Sequence, residues 1–571
     1  MGEAMDERHD ARRTADLALQ VLAGRLTRRE ALKRALALGL SAPTLAALLA
    51  ACGGTAESAA TAVPPVPPTP PGAAGASGAA SPVARATAQP SGIPGGKLTV
   101  GLNSDLSTLD PHKSTAAVDR QVFQLVYDKL VDIDEKLNIV PQLATGWKIA
   151  DDGKTYTFTL VEGATFHDGT PFNAEAVKKN FERMLDAATA SPRRSEIQQV
   201  TKVDAPDAKT VVLTLSQPFA PLLATLSDRA GMIISPKAIA EKGDDLARQP
   251  VGTGAFAFVE WVKGDHLTVK KNPTYWQKGL PYLDEVTYKP ITEATQRLTG
   301  LKTNQLQMVD QIAGKDVEST KKDSSLVLSD VPSLGFTYIT LHHGKPPFDN
   351  KALRQAVAYS FDREGINKVI FFNTGRAGQT PIPPSSWAYD DSVAPYKQNY
   401  DTVKQKLIEG GKPQGFSFTM LVTNSPEAIQ LAEAYKAQLG EAKIVANIEL
   451  LEFATLLDRS NKSEFEAVSL GWSGRPDPDG NIYNYFHSKG GGNRGNYNNP
   501  EVDKLLEQAR AVAEPAQRKL LYTQATKLIA EDVPQVFIRF PAEIKVWQPA
   551  VQGYVHVPDG MMRLNAVSLK K

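Results

Sequence analysis

Between Phe416 and Trp472 the chain repeats one pattern that leaves few folds open. Phe416–Val422 is strand-like, Pro426–Leu439 helical, Ile444–Leu450 strand-like, Phe453–Asn461 helical and Ala467–Trp472 strand-like again. This β-α-β-α-β order predicts an α/β architecture with a mainly parallel sheet and helix-covered faces. The last strand breaks into a loop holding Arg475, Asp477 and Asp479. In open sheets of this kind, ligands sit in the crevice outside the carboxyl ends of the strands. Trp472 and Arg475 are therefore expected beside such a crevice. A flat aromatic wall and a planar cation with five donors suit recognition, and nothing next to them is nucleophilic.

At 571 residues the chain can bury at least two cores. Its 64 basic and 63 acidic residues leave a net charge of +1, so no polyelectrolyte partner is implied and nucleic acid is not expected. The single cysteine, Cys52, rules out a disulfide framework and any multi-cysteine metal site.

Residues 1–52 read as an export signal. Arg25, Arg28, Arg29, Lys33 and Arg34 precede an apolar run from Ala35 to Ala51 that contains Gly39, Ser41 and Pro43. The run is short for a spanning helix, which needs about 20 apolar residues, and fits the apolar region of a signal peptide. It ends in Leu49-Ala50-Ala51-Cys52, which resembles the bacterial lipobox, where the cysteine is lipidated and becomes the mature amino terminus. Thr27-Arg28-Arg29-Glu30-Ala31-Leu32-Lys33 resembles a twin-arginine signal, with Ala31 in place of the usual aromatic residue; a plain membrane anchor is the alternative. From 53 to 96 the chain is almost entirely Ala, Gly, Pro, Ser and Thr, with only Glu57 and Arg85 charged. Such a stretch cannot bury enough apolar surface to fold. It reads as a disordered tether spanning about 35–40 Å as a coil.

In the body, Lys97–Leu102 is a first strand, followed by a helix expected to run through about Leu130. Thr155–Leu160 alternates as a half-buried strand does. Asn173 is the expected cap of a helix with Val177, Phe181, Met184, Leu185 and Ala188 on one face. Val211–Leu215 is a further strand, and the turn Val251-Gly-Thr-Gly254 precedes the aromatic strand Ala255–Trp261. Gly252 and Gly254 lack the third glycine of a dinucleotide fingerprint.

Six separated segments carry a resemblance. They are Leu109-Asp-Pro-His112; Tyr156–Leu160 with Gly163–Phe172; Pro250–Gly254 with Asn272-Pro-Thr-Tyr-Trp276; Pro346–Asp349 with Arg354–Arg363; Trp472 with Asp477-Pro-Asp479; and Asn499–Leu506. In this order they resemble the extracellular solute-binding proteins, family 5, of bacterial ABC importers, the dipeptide and oligopeptide binders and their relatives. The resemblance covers essentially all of 97–571. It implies a two-lobed, type II periplasmic-binding-protein fold with an extra β-rich subdomain in lobe 1. Lobe 1 would comprise 97–130, 248–340 and 541–571, with 131–247 as the extra subdomain, and lobe 2 would comprise 341–540.

The resemblance also implies ligand contacts. In peptide-binding relatives an aspartate three residues after the matching tryptophan pairs with the peptide α-amine, and here that position holds Arg475. Arg475 would repel an ammonium, whereas an arginine–carboxylate contact is bidentate and worth roughly 1.5–3 kcal/mol. An anionic ligand group facing Arg475 is one reading; Arg475 paired with Asp477 or Asp479 to hold the loop is the other. Asp477 itself is a candidate contact. Thr115, Ala116 and Ala117, with Leu470, Gly471 and Trp472 across the cleft, occupy the places where relatives offer backbone to an extended ligand. Trp387, Tyr483 and Tyr485 are candidate pocket walls, each with an ordinary packing role as the alternative. Asp477-Pro-Asp-Gly-Asn481 lacks the Gly and Glu of a calcium loop, holding Ile482 and Ser488 at those places. His112 reads equally as a cleft-lining residue and as a capping or packing one; His167, His342 and His343 read as structural, with a place for His342 or His343 at the hinge or crevice as the alternative.

The resulting expectation is a solute receptor for an ABC importer, lipid-anchored at Cys52 on the outer face of the cell membrane and monomeric as its relatives are. It would take a peptide or small peptide-like solute, use no cofactor or metal, perform no covalent chemistry and hand its solute to permease subunits. The alternatives are an opine, metal-chelate or oligosaccharide receptor on the same fold, a chemoreceptor or chaperone partner, and a secreted hydrolase. For the last, no Gly-x-Ser-x-Gly or His-Glu-x-x-His occurs, and Cys52 is the only thiol.

Overall fold

Two large sheets, each built on apolar strands spaced along the whole chain, organise the computed structural model, which describes residues 92–393 and 396–570. The expected signal segment 1–52, with Cys52, and the tether up to residue 91 lie outside the described residues. All described residues belong to one compact unit, Gly78–Lys571. No helix among them is long and apolar enough to cross a membrane.

The first sheet has seven strands in the order Val327–Pro332, Ala542–Trp547, Met308–Val309, Lys97–Leu102, Glu285–Pro290, His266–Lys271 and Phe256–Val262. Lys97–Leu102 runs parallel to both of its neighbours. Beside it stands an antiparallel four-stranded sheet, Ala144–Ile149, Thr155–Leu160, Thr210–Leu215 and Val200–Asp207. The two share one core, in which Leu98, Val100 and Val286 of the large sheet join Phe158, Leu213 and the helix residue Phe181. The four-stranded sheet is the extra β-rich subdomain of lobe 1.

The second sheet orders Arg376–Ala377, Gln535–Phe540, Phe336–Leu341, Ala467–Trp472, Phe416–Thr423 and Ile444–Leu451. Its strands alternate between two cores, as the two-residue strand period requires. Ile339, Leu341, Met420 and Ile538 point to one face, and Phe336, Tyr338, Leu421 and Phe537 to the other. The sheets are joined through short crossings, 333–335 and Pro541. The Ser333 N–H donates to the Pro541 carbonyl at 3.2 Å. Two short connections bonded to each other make a hinge, and the fold is the two-lobed type II periplasmic-binding architecture.

The structure departs from the sequence reading in five places. The second sheet is mixed: Phe416–Thr423 is parallel to Ile444–Leu451 and to Ala467–Val468, but the strands that carry the chain through the crossings pair antiparallel. Phe336–Leu341 belongs to this second sheet, so the chain enters it at Phe336, ahead of the expected boundary at 340. The helix expected through Leu130 spans only Asp119–Val126. Tyr127 turns extended, and Leu130 then donates to Gly231 and accepts from Ala144, tertiary bonds that replace the helical ones. The helix capped by Asn173 ends at Leu185, and Ala188 lies in a separate turn capped by Asp186. Finally, the end of the expected tether is docked: Gly95 donates to the Tyr282 carbonyl at 2.8 Å and Gly96 to Asp284 at 3.0 Å.

Candidate functional site

The strand Ala467–Trp472 is bonded along its whole length to Phe336–Leu341, but its ladder with Phe416–Thr423 stops at Val468. From Ser469 onward one backbone edge has no strand partner. The strand end is fixed by Asn481, which is buried and lies two residues into the helix Asp479–Phe486. Its Oδ1 accepts from Trp472 Nε1 and from the Arg475 backbone N–H, both at 2.9 Å. Its Nδ2 donates to the Leu334 carbonyl at 3.0 Å. The turn needs Gly474: its φ is +77°, and a Cβ there would meet the Leu334 backbone at 2.1 Å.

This loop places the Arg475 guanidinium over the Trp472 ring, 4.3 Å from its centroid. Its partner is neither Asp477 nor Asp479. Arg475 Nε lies 3.1 Å from Oδ2 of Asp228, which reaches across from lobe 1. Asp477 is held by two bonds from Arg518, at 2.7 and 2.8 Å, and Asp479 by two from Arg510, both at 2.8 Å. The two aspartates thus brace the loop against the helices Pro500–Ala511 and Pro515–Asp532.

Asp228 sits among four arginines. Arg120 Nε donates to its other oxygen at 2.9 Å, Arg229 Nε lies 4.0 Å away, and Arg193, held to Glu196, stands nearby. Burial alone would raise the Asp228 carboxyl, but Arg120, Arg475, Arg229 and Arg193 together hold it well below the usual carboxylate range. Burial lowers the Arg229 and Arg475 guanidiniums from their ordinary value; Arg193 pushes both further down and Asp228 opposes. Arg120 Nη1, Arg193 Nε, Arg229 Nε and Arg475 Nη2 are buried without an acceptor, and Asp228 Oδ2, although 3.1 Å from Arg475 Nε, accepts no hydrogen bond. Orphaned donors of this kind are rare in folded proteins and call for a partner.

Arg193 and Arg229 open onto a cleft of about 850 Å³ between the lobes. Thr115, Arg193 and Arg229 line it from one side, and Trp472, Tyr485 and Arg494 from the other. A narrower cavity continues it past Asp228, Arg475, Asp477 and Tyr483. The lobes touch along this line: the Ala220 N–H donates to the Arg510 carbonyl at 2.9 Å, and the Arg510 guanidinium lies 5.0 Å from the Phe219 ring centroid.

The structure gathers some of the residues singled out from sequence and separates others. Trp472, Arg475, Asp477, Thr115 and Tyr485 line the two cavities. Gly471 is exposed beside them, whereas Leu470 turns its side chain into the core against Phe336 and Tyr338. The Ala116 carbonyl already accepts from Arg229 Nη1 at 3.3 Å, and Ala117 accepts from the Arg120 N–H at 3.1 Å. Trp387 lines neither cavity; its ring lies against Tyr522 and under Arg518. Tyr483 packs beneath the loop, stacked on His487 with Arg510 above it. His112 is fully buried, bonded to Arg183 and the Met232 carbonyl. His342 and His343 pack on Phe465 and Tyr497. Among the described residues no group of three or more His, Cys, Asp or Glu is arranged to hold a metal ion. Sequence reasoning missed Asp228, Arg120, Arg193, Arg229 and Asn481. The one local signal was the run Ser191-Pro-Arg-Arg-Ser-Glu196, in which two arginines follow a proline turn.

Residues 138–493 match the family model described as bacterial extracellular solute-binding proteins, family 5, middle. The chain is 33% identical over 510 residues to a probable D,D-dipeptide-binding periplasmic protein of Escherichia coli K12, covering 85% of this chain and 96% of that protein. It is 30% identical over 475 residues to the glutathione-binding protein of the same strain, covering 81% and 92%. Among solved structures it resembles an ABC transporter-associated periplasmic binding protein of Helicobacter pylori in complex with the peptide STSA, at TM-score 0.79 and 28% identity, covering 84% and 99% of the two chains. It also resembles an Agrobacterium binding protein in complex with agropinic acid, at TM-score 0.78 and 27% identity, covering 83% and 99%. This chain belongs to the bacterial extracellular solute-binding proteins of family 5.

Proposed function

We propose that the protein is the solute receptor of a bacterial ABC importer, capturing a peptide or small peptide-like solute between its lobes and delivering it to permease subunits. The observation that carries this reading is the cleft of about 850 Å³ walled from both lobes, by Arg229 on one side and Trp472 and Arg494 on the other. That volume suits a small molecule, since ligand pockets run to roughly 300–1,000 Å³. A solute that touches both walls binds the closed form better than the open one, and that difference shifts the population toward closure. The free backbone edge beyond Val468 offers pairing to an extended ligand without selecting its side chains. Peptide-binding relatives support this reading.

The second reading, a non-peptide anionic solute, is favoured by the arginine cluster and by the neighbour that holds agropinic acid. In either case the protein binds and releases, and no covalent step is required. We propose further that residues 1–52 direct export, and that a lipid on Cys52 with the 53–91 tether holds the body at the outer face of the cell membrane. A monomer suffices for this role.

Native mass spectrometry of the full-length protein, with identification of whatever is released on denaturation, tests the receptor reading. A bound small solute, and a smaller radius of gyration when it is added back, is the expected result. Catalytic turnover of a peptide or glycoside by the pure protein would overturn it.

A further inference from the structure

We infer that the solute carries two separate acidic groups and no free ammonium, one acid meeting Arg193 and Arg229 on lobe 1 and the other meeting Arg475 and Arg494 on lobe 2. This rests on the reading that the cleft holds a solute, and it specifies that solute's charge.

The first ground is that the acids at the cleft are taken. Asp477 and Asp479 each receive two bonds from an arginine. Asp228 is shared by Arg120 and Arg475, and Glu196 is held to Arg193. Asp119, the remaining buried acid nearby, accepts from Ser107 and Ser114, and burial raises its carboxyl from the ordinary value. An ammonium entering here would meet four arginines, and the carboxylates within its reach, Asp228 and Glu196, already stand against them. In water the same ammonium is fully hydrated, so its desolvation would go uncompensated.

The second ground is the surplus of cations. Arg120, Arg193, Arg229 and Arg475 surround the site against Asp228, Glu196 and Asp119, and Arg494 adds a further cation at the cleft, so positive charge is in excess. Unpaired buried charge is costly, and a partner of opposite sign removes most of that cost. Arg229 is the clearest case. Its side chain is 2% exposed, its Nη1 reaches the Ser114 carbonyl and hydroxyl and the Ala116 carbonyl, and its Nε has no acceptor. Arg475 Nη2, on the opposite lobe, is likewise unmet. Arg494 lines the same cleft with only a 3.5 Å contact to Ser460. Because the unmet donors belong to both lobes, one acid on each side satisfies them, and a solute bearing both draws the lobes together.

Calorimetry on the full-length protein with matched probes tests this. N-succinyl-alanine has two acids and no ammonium, alanyl-glutamate has two acids and an ammonium, alanyl-alanine is a zwitterion, and phenyl phosphate is a dianion with a single acid group. N-succinyl-alanine is expected to bind at least about tenfold tighter than the other three, the factor that one charge-assisted contact supplies. Arg494→Gln, on a half-buried side chain, and Arg229→Gln are each expected to weaken that binding about tenfold; Arg494→Gln keeps the test open if Arg229→Gln does not fold. Equal or tighter binding of either ammonium-bearing peptide overturns the inference while leaving the receptor reading intact. Tighter binding of phenyl phosphate overturns the assignment of two separate acids. Silence from these probes, and from a wider panel of dipeptides, diacids, chelates and sugars, fails the receptor reading and this inference with it.

Discussion

Asp228 and Arg475 lie 3.1 Å apart although one belongs to lobe 1 and the other to lobe 2. The pair is buried, and it is the point at which closure of the hinge and the charge of the cleft become one matter. Closing the lobes brings Arg475 to Asp228 and at the same time assembles a surplus of guanidiniums that only an anion can balance.

Removing Asp228 should therefore cost more than removing Arg475. Asp228→Ala leaves Arg120, Arg229 and Arg475 facing one another without their shared carboxylate, a loss of about 3–5 kcal/mol. Arg475→Ala leaves Asp228 still bonded to Arg120 at 2.9 Å, and about 1–2 kcal/mol is expected. Chemical denaturation of both variants checks the order, and a larger loss for Arg475→Ala would contradict it.

Gly480→Ala separates charge from geometry. A Cβ at 480 would lie 2.5–2.6 Å from Arg475 Cγ and Cβ, at the rigid base of that side chain. The helix itself should gain up to ~1 kcal/mol from the alanine, yet Arg475 must leave Asp228. Small-angle scattering of this variant should show a more open average shape than wild type, as Arg475→Ala should, with every charge retained.

Asn481 positions both Trp472 and Arg475. Asn481→Ala leaves the Leu334 carbonyl and the Trp472 indole N–H without partners, at about 1–3 kcal/mol. The Trp472 emission should shift to the red as its indole loosens. An unchanged spectrum in a folded variant would show that the loop is held by Asp477 and Asp479 alone.

Acid should destabilise the protein through its buried histidines. Burial pushes His112 down to about 4 from its ordinary value near 6.5, Asp110 opposing. The folded pKa is the lower one, so the unfolded chain binds the extra proton between the two values. Stability is then fully present above about 6.5 and is lost as the pH falls toward about 4, by roughly 3 kcal/mol for this residue. His343, pushed down to about 3 by burial, acts in the same direction. Asp128, raised to about 6 by burial, acts in the opposite one. Unfolding free energies at pH 7 and pH 4.5 should differ less in His112→Asn than in wild type.

Cys52→Ser should move the expressed protein from the detergent phase to the aqueous phase on phase partitioning, because a lipid is the only anchor in the proposed arrangement. Retention in the detergent phase with normal processing would argue for a membrane-spanning anchor instead.

What the sequence determined by itself follows from local chemistry. Period-two and period-3.6 patterns marked Phe416–Thr423 through Ala467–Trp472 and the cap at Asn173, because each depends on residues close along the chain. Six motifs in order were enough to point to the family, and Trp472 and Arg475 were placed at the cleft by strand-end position alone. The tertiary structure decided who meets whom. Arg475 had Asp477 and Asp479 within four residues, yet it pairs with Asp228, nearly 250 positions away, because those neighbours were claimed by Arg518 and Arg510. Leu130 left its helix for long-range backbone partners, and Trp387 turned away to Tyr522. Ion pairs have no periodicity, and a carboxylate goes to whichever cation the fold brings within reach. The charge of this cleft therefore belongs to the closed fold and to no single stretch of the chain.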